Sequence, residues 1–330
     1  MLIDDWKFEL MKNILLKIEK YGIRGIADVT HQKAKMLIAK YKFLNGKSNH
    51  FLYEMEMYWN SYRRIEKQYL DKLKAMDTYS GSGATSNIVW WCWLQGEDNC
   101  PRLQKICLAS VRRKLVDRKI VVITKDNLYS YIDFPDYIKE KYEKGYISNT
   151  HFSDLIRLQL LIKYGGTWID STALCTGYDR QLFDKPLFVF KNMNYIWYAS
   201  KNYCTKEVPL IADNWFITSE INSPILITVR DLLFDYWNTH NYVVDYFIFH
   251  FFFTMTVNYK YKDLFEKIPS RSHIQPHLMQ NVCYRNVQAN EMNDILSQAT
   301  IHKLTNKVKS ESLSADCLYL KLINENQSFD

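Results

Sequence analysis

The stretch HFSDLIRLQLLIKYGGTWIDST, residues 151–172, sets an acid and a base three positions apart, then an apolar run, two adjacent glycines and a lone aspartate among hydroxyls. Two acids, an arginine and two hydroxyls brought to one edge of a sheet could bind a polar ligand. Spacing of three puts Asp154 and Arg157 on one helix face. Leu155, Ile156, Leu158, Leu160, Leu161 and Ile162 surround them with apolar groups, as in an interior helix. The pattern predicts a helix over 153–164, with Ser153 as N-cap and Gly165 or Gly166 as its left-handed ending. Such a helix spans roughly 18 Å, and a strand of about five residues covers nearly that length in reverse. Asp170 then returns beside Asp154 and Arg157, with Ser171 and Thr172 next to it. The plainer alternative is an internal Asp154–Arg157 ion pair and a turn aspartate.

Other elements must present this group to a ligand. NIVWWCWLQG (87–96) reads as a strand closed by glycine, a helix is expected near 101–115, and KIVVITKDN (119–127) reads as a second buried strand. Strand, helix, strand in that order implies a parallel α/β layer, whose ligands bind beyond the strand carboxyl ends. In the first strand, alternation separates Trp91 and Trp93 from Trp90 and Cys92. Residues 1–80 repeat apolar groups at helical spacing, among them Trp6, Leu10, Ile14 and later Met55, Trp59 and Tyr62. TYSGSGATSN (78–87) reads as a linker, giving an N-terminal helical region over 1–80 and an α/β domain over 81–330. YFIFHFFFTMTV (246–257) is about half as long as a membrane span and reads as a buried helix.

Composition narrows the class. The 330 residues are 47% apolar and 24% charged, within the globular range, and the formal net charge is +7. The first 80 residues hold 15 basic and 10 acidic side chains, which permits an anionic partner such as a membrane surface. These charges alternate in sign and form no basic stripe, so nucleic acid is not an expected partner. Seven cysteines without C-x-x-C spacing argue against a disulfide framework and against a zinc–thiolate site. The start, MLIDDWKFELMKN, lacks the pattern of a signal peptide, so a cytoplasmic location is expected.

Ser153-Asp154-x-x-Arg157 followed by Tyr164-Gly165-Gly166-x-Trp168-x-Asp170 resembles the signature of glycosyltransferase family 32 and of bacterial capsular polysaccharide synthesis proteins. VWWCWLQG (89–96) is similar to that family's first strand, and KLTNK (303–307) to its closing segment. The resemblance implies an α/β GT-A, Rossmann-like fold, a UDP-sugar donor and a divalent metal, Mn²⁺ or Mg²⁺. It departs from the family at Asp170-Ser171-Thr172, where the second carboxylate of the usual D-x-D is replaced.

By this resemblance Asp170 is a metal ligand and a catalytic residue, and His302 is a candidate for a late ligand, with a structural role as its alternative. Lys303 could instead offer its charge to the phosphates. Trp93, with Trp91, Gln95 and Gly96, aligns with the segment that stacks on uracil. Asp154 and Arg157 would hold the donor sugar, with Gly165, Gly166, Ser171 and Thr172 completing the motif. Thr124 and Asn127, just after the second strand, are candidates for the ribose. Asn214 and Asp245 are candidate catalytic residues, and His250 a candidate donor contact, because each sets a polar group among apolar ones.

The resulting expectation is a retaining glycosyltransferase. It would act on a growing capsular or lipid-linked saccharide at the inner face of the plasma membrane. The rival reading is a non-catalytic protein that binds glycans or nucleotide sugars on the same fold.

Overall fold

The computed structural model describes residues 50–192, 209–307 and 316–324, together with residue 313 and part of 15–46. Trp6, Leu10 and Ile14 lie outside the described residues, and every described position from Leu15 to Leu44 is helical.

The first long element, α1 (His50–Ala75), is followed by the irregular segment 77–87 and then by β1 (Ile88–Cys92). Next come α2 (Arg102–Lys114), β2 (Lys119–Ile123), α3 (Leu128–Tyr131), α4 (Asp136–Glu143) and α5 (Asn149–Tyr164). β3 (Gly166–Ile169), β4 (Ala173–Cys175), β5 (Leu187–Lys191) and β6 (Ala212–Ser219) lead to α6 (Pro224–Thr239) and α7 (Ile248–Tyr259). The chain closes with α8 (Lys262–Glu266), α9 (Ile274–Val282), α10 (Ala289–Gln298), β7 (Ile301–Lys303) and α11 (Leu318–Asn324).

The central sheet has the order β2-β1-β3-β6-β5. β1 is parallel to both β2 and β3, with Ile88 opposite Lys119 and Trp90 opposite Trp168, whereas β6 runs antiparallel to β3 and β5. β4 and β7 form a separate antiparallel pair with Thr172 O accepting from Leu304 N. Helices cover both faces of β1, which is why its sequence is continuously apolar rather than alternating. Trp91 is buried with Cys100 and Leu108 on the α2 side, and on the opposite face Trp90 packs on Tyr164 of α5 and donates to Gly165 O at 2.8 Å. A helix-covered sheet with a parallel start is the α/β, Rossmann-like arrangement expected.

α5 begins earlier than predicted. Ser148, not Ser153, is its N-cap, extended at ψ 160° and accepting from His151 N, so Ser153 lies inside the helix. The far end is as expected: Gly165 and Gly166 have φ of 64° and 92°, and a Cβ on Gly166 would run into the carbonyl oxygen of Ile88.

α1 packs on α6 and α7. Its buried Tyr62, Ile65, Tyr69 and Leu73 join the main core, with Tyr69 edge-on to Phe252 at 5.0 Å between ring centroids. The apolar run at 246–257 is α7, whose phenylalanines fill that core. Among the described residues no helix is long and apolar enough to cross a membrane, and the six described cysteines are free.

Candidate active site

A cleft of about 390 Å³ opens where β1 and β3 end and α5 begins. Asp154 and Arg157 enter from the middle of α5, Asp170 from the residue after β3, and Lys303 from the end of β7. Their side chains form a chain of alternating charge. Arg157 Nη1 donates to Asp154 Oδ1 at 2.5 Å and Nη2 to Asp170 Oδ1 at 3.0 Å. Lys303 Nζ donates to Asp170 Oδ2 at 2.8 Å and to Thr172 Oγ1 at 2.7 Å. Asn214, from β6, donates to Asp154 Oδ1 at 2.9 Å.

The surroundings fix these positions. Trp168 lies two residues before Asp170 on the same strand face, so its indole donates to Asp170 Oδ1 at 2.9 Å while its ring lies 4.7 Å from the Arg157 guanidinium carbon. Asp170 N donates to Trp215 O, tying the aspartate to β6. The Asp154 and Arg157 side chains are 9% and 4% exposed, whereas Asp170 at 26% and Lys303 at 18% reach the open cleft. Buried charges must be paired, and each of these is. Burial pushes the Asp154 carboxyl up despite the Arg157 and His151 charges that oppose it. Burial acts in the same direction on Asp170, but the Lys303 and Arg157 charges and the bonds from Lys303 and Trp168 outweigh it and hold that carboxyl low. Asp170 is therefore an anion that two cations already neutralise.

The arrangement bears on a divalent cation at Asp170. Oδ1 takes N–H bonds from Arg157 and Trp168, and Oδ2 takes the Lys303 ammonium. An ion at either oxygen would stand beside a positive charge, with one carboxylate to hold it. Among the described residues no cluster of metal-binding side chains includes Asp170. An Mg²⁺ or Mn²⁺ ion here would have Asp170 as its protein carboxylate, would take its other oxygen ligands from water and substrate phosphates, and would compete with Lys303 for Oδ2.

The cleft collects Trp93, Gln95, Asp154, Arg157, Asp170, Ser171, Thr172, Asn214 and Lys303 from the candidates of the sequence. The others stand elsewhere. Trp91 is fully buried under α2. Gly96, at φ 90°, shapes the turn after Gln95 without lining the cleft. Thr124 N donates to Asn127 Oδ1, closing the loop after β2. Gly165 and Gly166 lie at the opposite end of β3 from Asp170 and serve the chain reversal. Asp245 lies in the turn that precedes α7, accepting from Phe247 N at 3.0 Å and from Ser61 Oγ of α1 at 2.6 Å. His250, one turn further on, lies against the rings of Phe247 and Phe249; burial lowers its imidazole to about 4. His302 is fully buried, with Nε2 3.1 Å from Thr176 Oγ1, and burial lowers it to about 4 as well. Strand alternation turns it away from the face that carries Lys303.

The sequence reading names Trp168 within the motif without giving it a role, and does not single out Asn149, Thr150, Tyr246 or Asn306; all five line the cleft. The spacing of Trp168 two before Asp170 carries its role; the rest come from loops and helix starts that no periodicity marks.

Comparison with known proteins gives two findings. The model of the family described as capsular polysaccharide synthesis protein matches residues 40–322. Among solved structures the chain is similar to one titled "PaToxG Glycosyltransferase", at 13% identity and a TM-score of 0.36, over 82% of this chain and 95% of that one. No curated protein sequence matches significantly. The family match spans the cleft and every strand that builds it, and the chain belongs to the capsular polysaccharide synthesis protein family.

Proposed function

We propose that the protein is a retaining glycosyltransferase on a GT-A-type sheet, moving a sugar from a UDP-linked donor to a growing capsular or lipid-linked saccharide. The observation that carries this reading is the Asp170 carboxylate on the open cleft, bridged between Arg157 and Lys303. Asp154 and Asn214 offer the carboxylate and amide that orient sugar hydroxyls, and Arg157 locks Asp154 in one rotamer. Trp93 presents a flat ring for the base. Lys303 faces the position where a diphosphate leaves, and with Arg157 it supplies the positive charge that the departing oxygens require.

The carboxylates lining the described cleft are Asp154 and Asp170, and both are committed to cations. Neither is free to attack the anomeric carbon. Front-face attack by the acceptor hydroxyl, with the leaving phosphate taking its proton, fits this lining better than double displacement. Work on a lipid-linked acceptor at the inner membrane face would suit the excess of basic residues in the first 80 positions.

The test is binding. Thermal shifts with a panel of nucleotide sugars, in EDTA and again with Mn²⁺ or Mg²⁺, should show a UDP-sugar stabilising the parent without added metal, and Arg157→Ala removing that stabilisation. Identical ligand-induced shifts in parent and variant would reject the assignment. Stabilisation seen only with added metal would replace Lys303 by a cation in the charge balance.

A further inference from the structure

Asp213, His273 and His277 come together on the face of β6 opposite the one that carries Asn214. Asp213 is the second residue of β6, His273 immediately precedes α9, and His277 lies one turn into that helix. One ligand atom of each lies within 4.8 Å of those of the other two. Asp213 Oδ2 stands 3.6 Å from His273 Nδ1, beyond ordinary hydrogen-bond length. Ligand atoms about 2.0 Å from a tetrahedral zinc ion are spaced at about 3.3 Å, so the observed separation fits an ion better than a bond.

The His277 and Asp213 side chains are each held in a ligating posture by a neighbour, and His273 is fixed through its backbone. His277 Nδ1 lies 2.6 Å from His273 O, so this nitrogen carries the proton and Nε2 keeps its lone pair. Trp215 Nε1 donates to Asp213 Oδ2 at 2.9 Å, and its ring stands edge-on to His277 at 5.9 Å. His273 N donates to Lys191 O and Lys191 N donates to Arg271 O, so both ends of the segment 271–273 are fixed to β5. His273 and Asp213 are 27% and 18% exposed, open enough for an ion and one water to enter.

We propose that Asp213, His273 and His277 form a binding site for one zinc-class divalent transition ion, which clamps α9 to β6. Two imidazoles and one carboxylate suit such an ion and disfavour Mg²⁺ or Ca²⁺, which take oxygen shells. Three protein ligands leave a fourth position for water. α9 packs against β7, the strand that presents Lys303, so the ion steadies the wall of the cleft without entering it. The site stands on its own residues and does not depend on the transferase reading.

The test uses full-length protein stripped with EDTA and then dialysed free of it. Titration with Zn²⁺ should show one equivalent bound and a rise of several degrees in melting temperature. Co²⁺ should give visible bands of a nitrogen- and oxygen-ligated ion. His277→Gln and Asp213→Asn should each weaken binding by 100-fold or more and abolish the thermal gain, while matching the metal-free parent in melting temperature. Should His277→Gln fail to fold, Asp213→Asn decides, because its amide can still accept from Trp215. Absence of a stoichiometric equivalent, unchanged affinity in a folded variant, or a near-ultraviolet thiolate band pointing to cysteine ligands would overturn the proposal.

Discussion

Replacing Lys303 by Met tests whether its charge serves the leaving group or only the fold. Nζ sits 2.8 Å from Asp170 Oδ2 and 2.7 Å from Thr172 Oγ1, and the side chain is 18% exposed. Loss of the ammonium leaves Asp170 paired with Arg157 and Trp168, so the cost in stability should be small, about 1 kcal/mol for a partly exposed pair. That corresponds to a drop of roughly 1–2 °C in melting temperature for a chain of 330 residues. The effect on transfer should be much larger. A unit charge about 4 Å from a developing phosphate charge is worth at most about 4 kcal/mol at an effective dielectric near 20. Removal of one such stabilising donor typically costs about 10² to 10³ in kcat. Lys303→Met should therefore lower UDP release at least about 100-fold with the fold intact, and Lys303→Arg should retain more activity because it keeps the charge but not the point geometry. The assay is chromatographic detection of UDP in EDTA, beside circular dichroism and a melting curve. An activity within about three-fold of the parent, or a loss that merely follows the folded fraction, would refute this use of Lys303.

Three further outcomes follow from the geometry. Gly166→Ala should destabilise by about 2–4 kcal/mol in a denaturant titration, because φ is 92° and the added Cβ meets the Ile88 carbonyl; Gly83→Ala, at φ 69° with open space around it, should cost less. Stability should fall as pH drops from about 6.5 toward 4. Burial lowers His250 and His302 to about 4, so the unfolded chain takes up protons that the folded one refuses. The raised carboxyls of Asp154 and Asp245 act in the opposite sense and reduce the slope; a flat melting temperature over that window would contradict the assignment. Arg157→Lys should retain the folded state yet bind a UDP-sugar more weakly, since one ammonium cannot reproduce the two bonds to Asp154 and Asp170; equal affinity by calorimetry would contradict it.

The meeting of Asp154, Arg157 and Asp170 was legible because it follows from local rules: a three-residue helical spacing, a double glycine and a strand of known rise. The strand–helix–strand start and the buried α7 were legible for the same reason. Lys303 was reachable only through the resemblance, because its partner Asp170 lies 133 residues away in sequence. Asp245 and His302 look alike in sequence to cleft residues, since a buried polar group must be paired whatever its role. Their partners, Ser61 and Thr176, are set by tertiary packing. The α5 start was misplaced because both Ser148 and Ser153 can cap a helix, and the choice rests on backbone geometry. The Asp213–His273–His277 group leaves one faint trace, two histidines four apart, with the aspartate 60 residues earlier.

Donor turnover by the parent and by Asp170→Asn, side by side, addresses the cleft most directly. The variant keeps a side chain of the same shape that can still accept from Trp168, but it removes the anion that holds Arg157 and Lys303 together. UDP released from at least one nucleotide sugar by the parent, with none above background from an equally folded variant, is the result this account predicts. Equal rates in the two proteins, or no release by the parent from any nucleotide sugar in the presence of a saccharide acceptor, would contradict it.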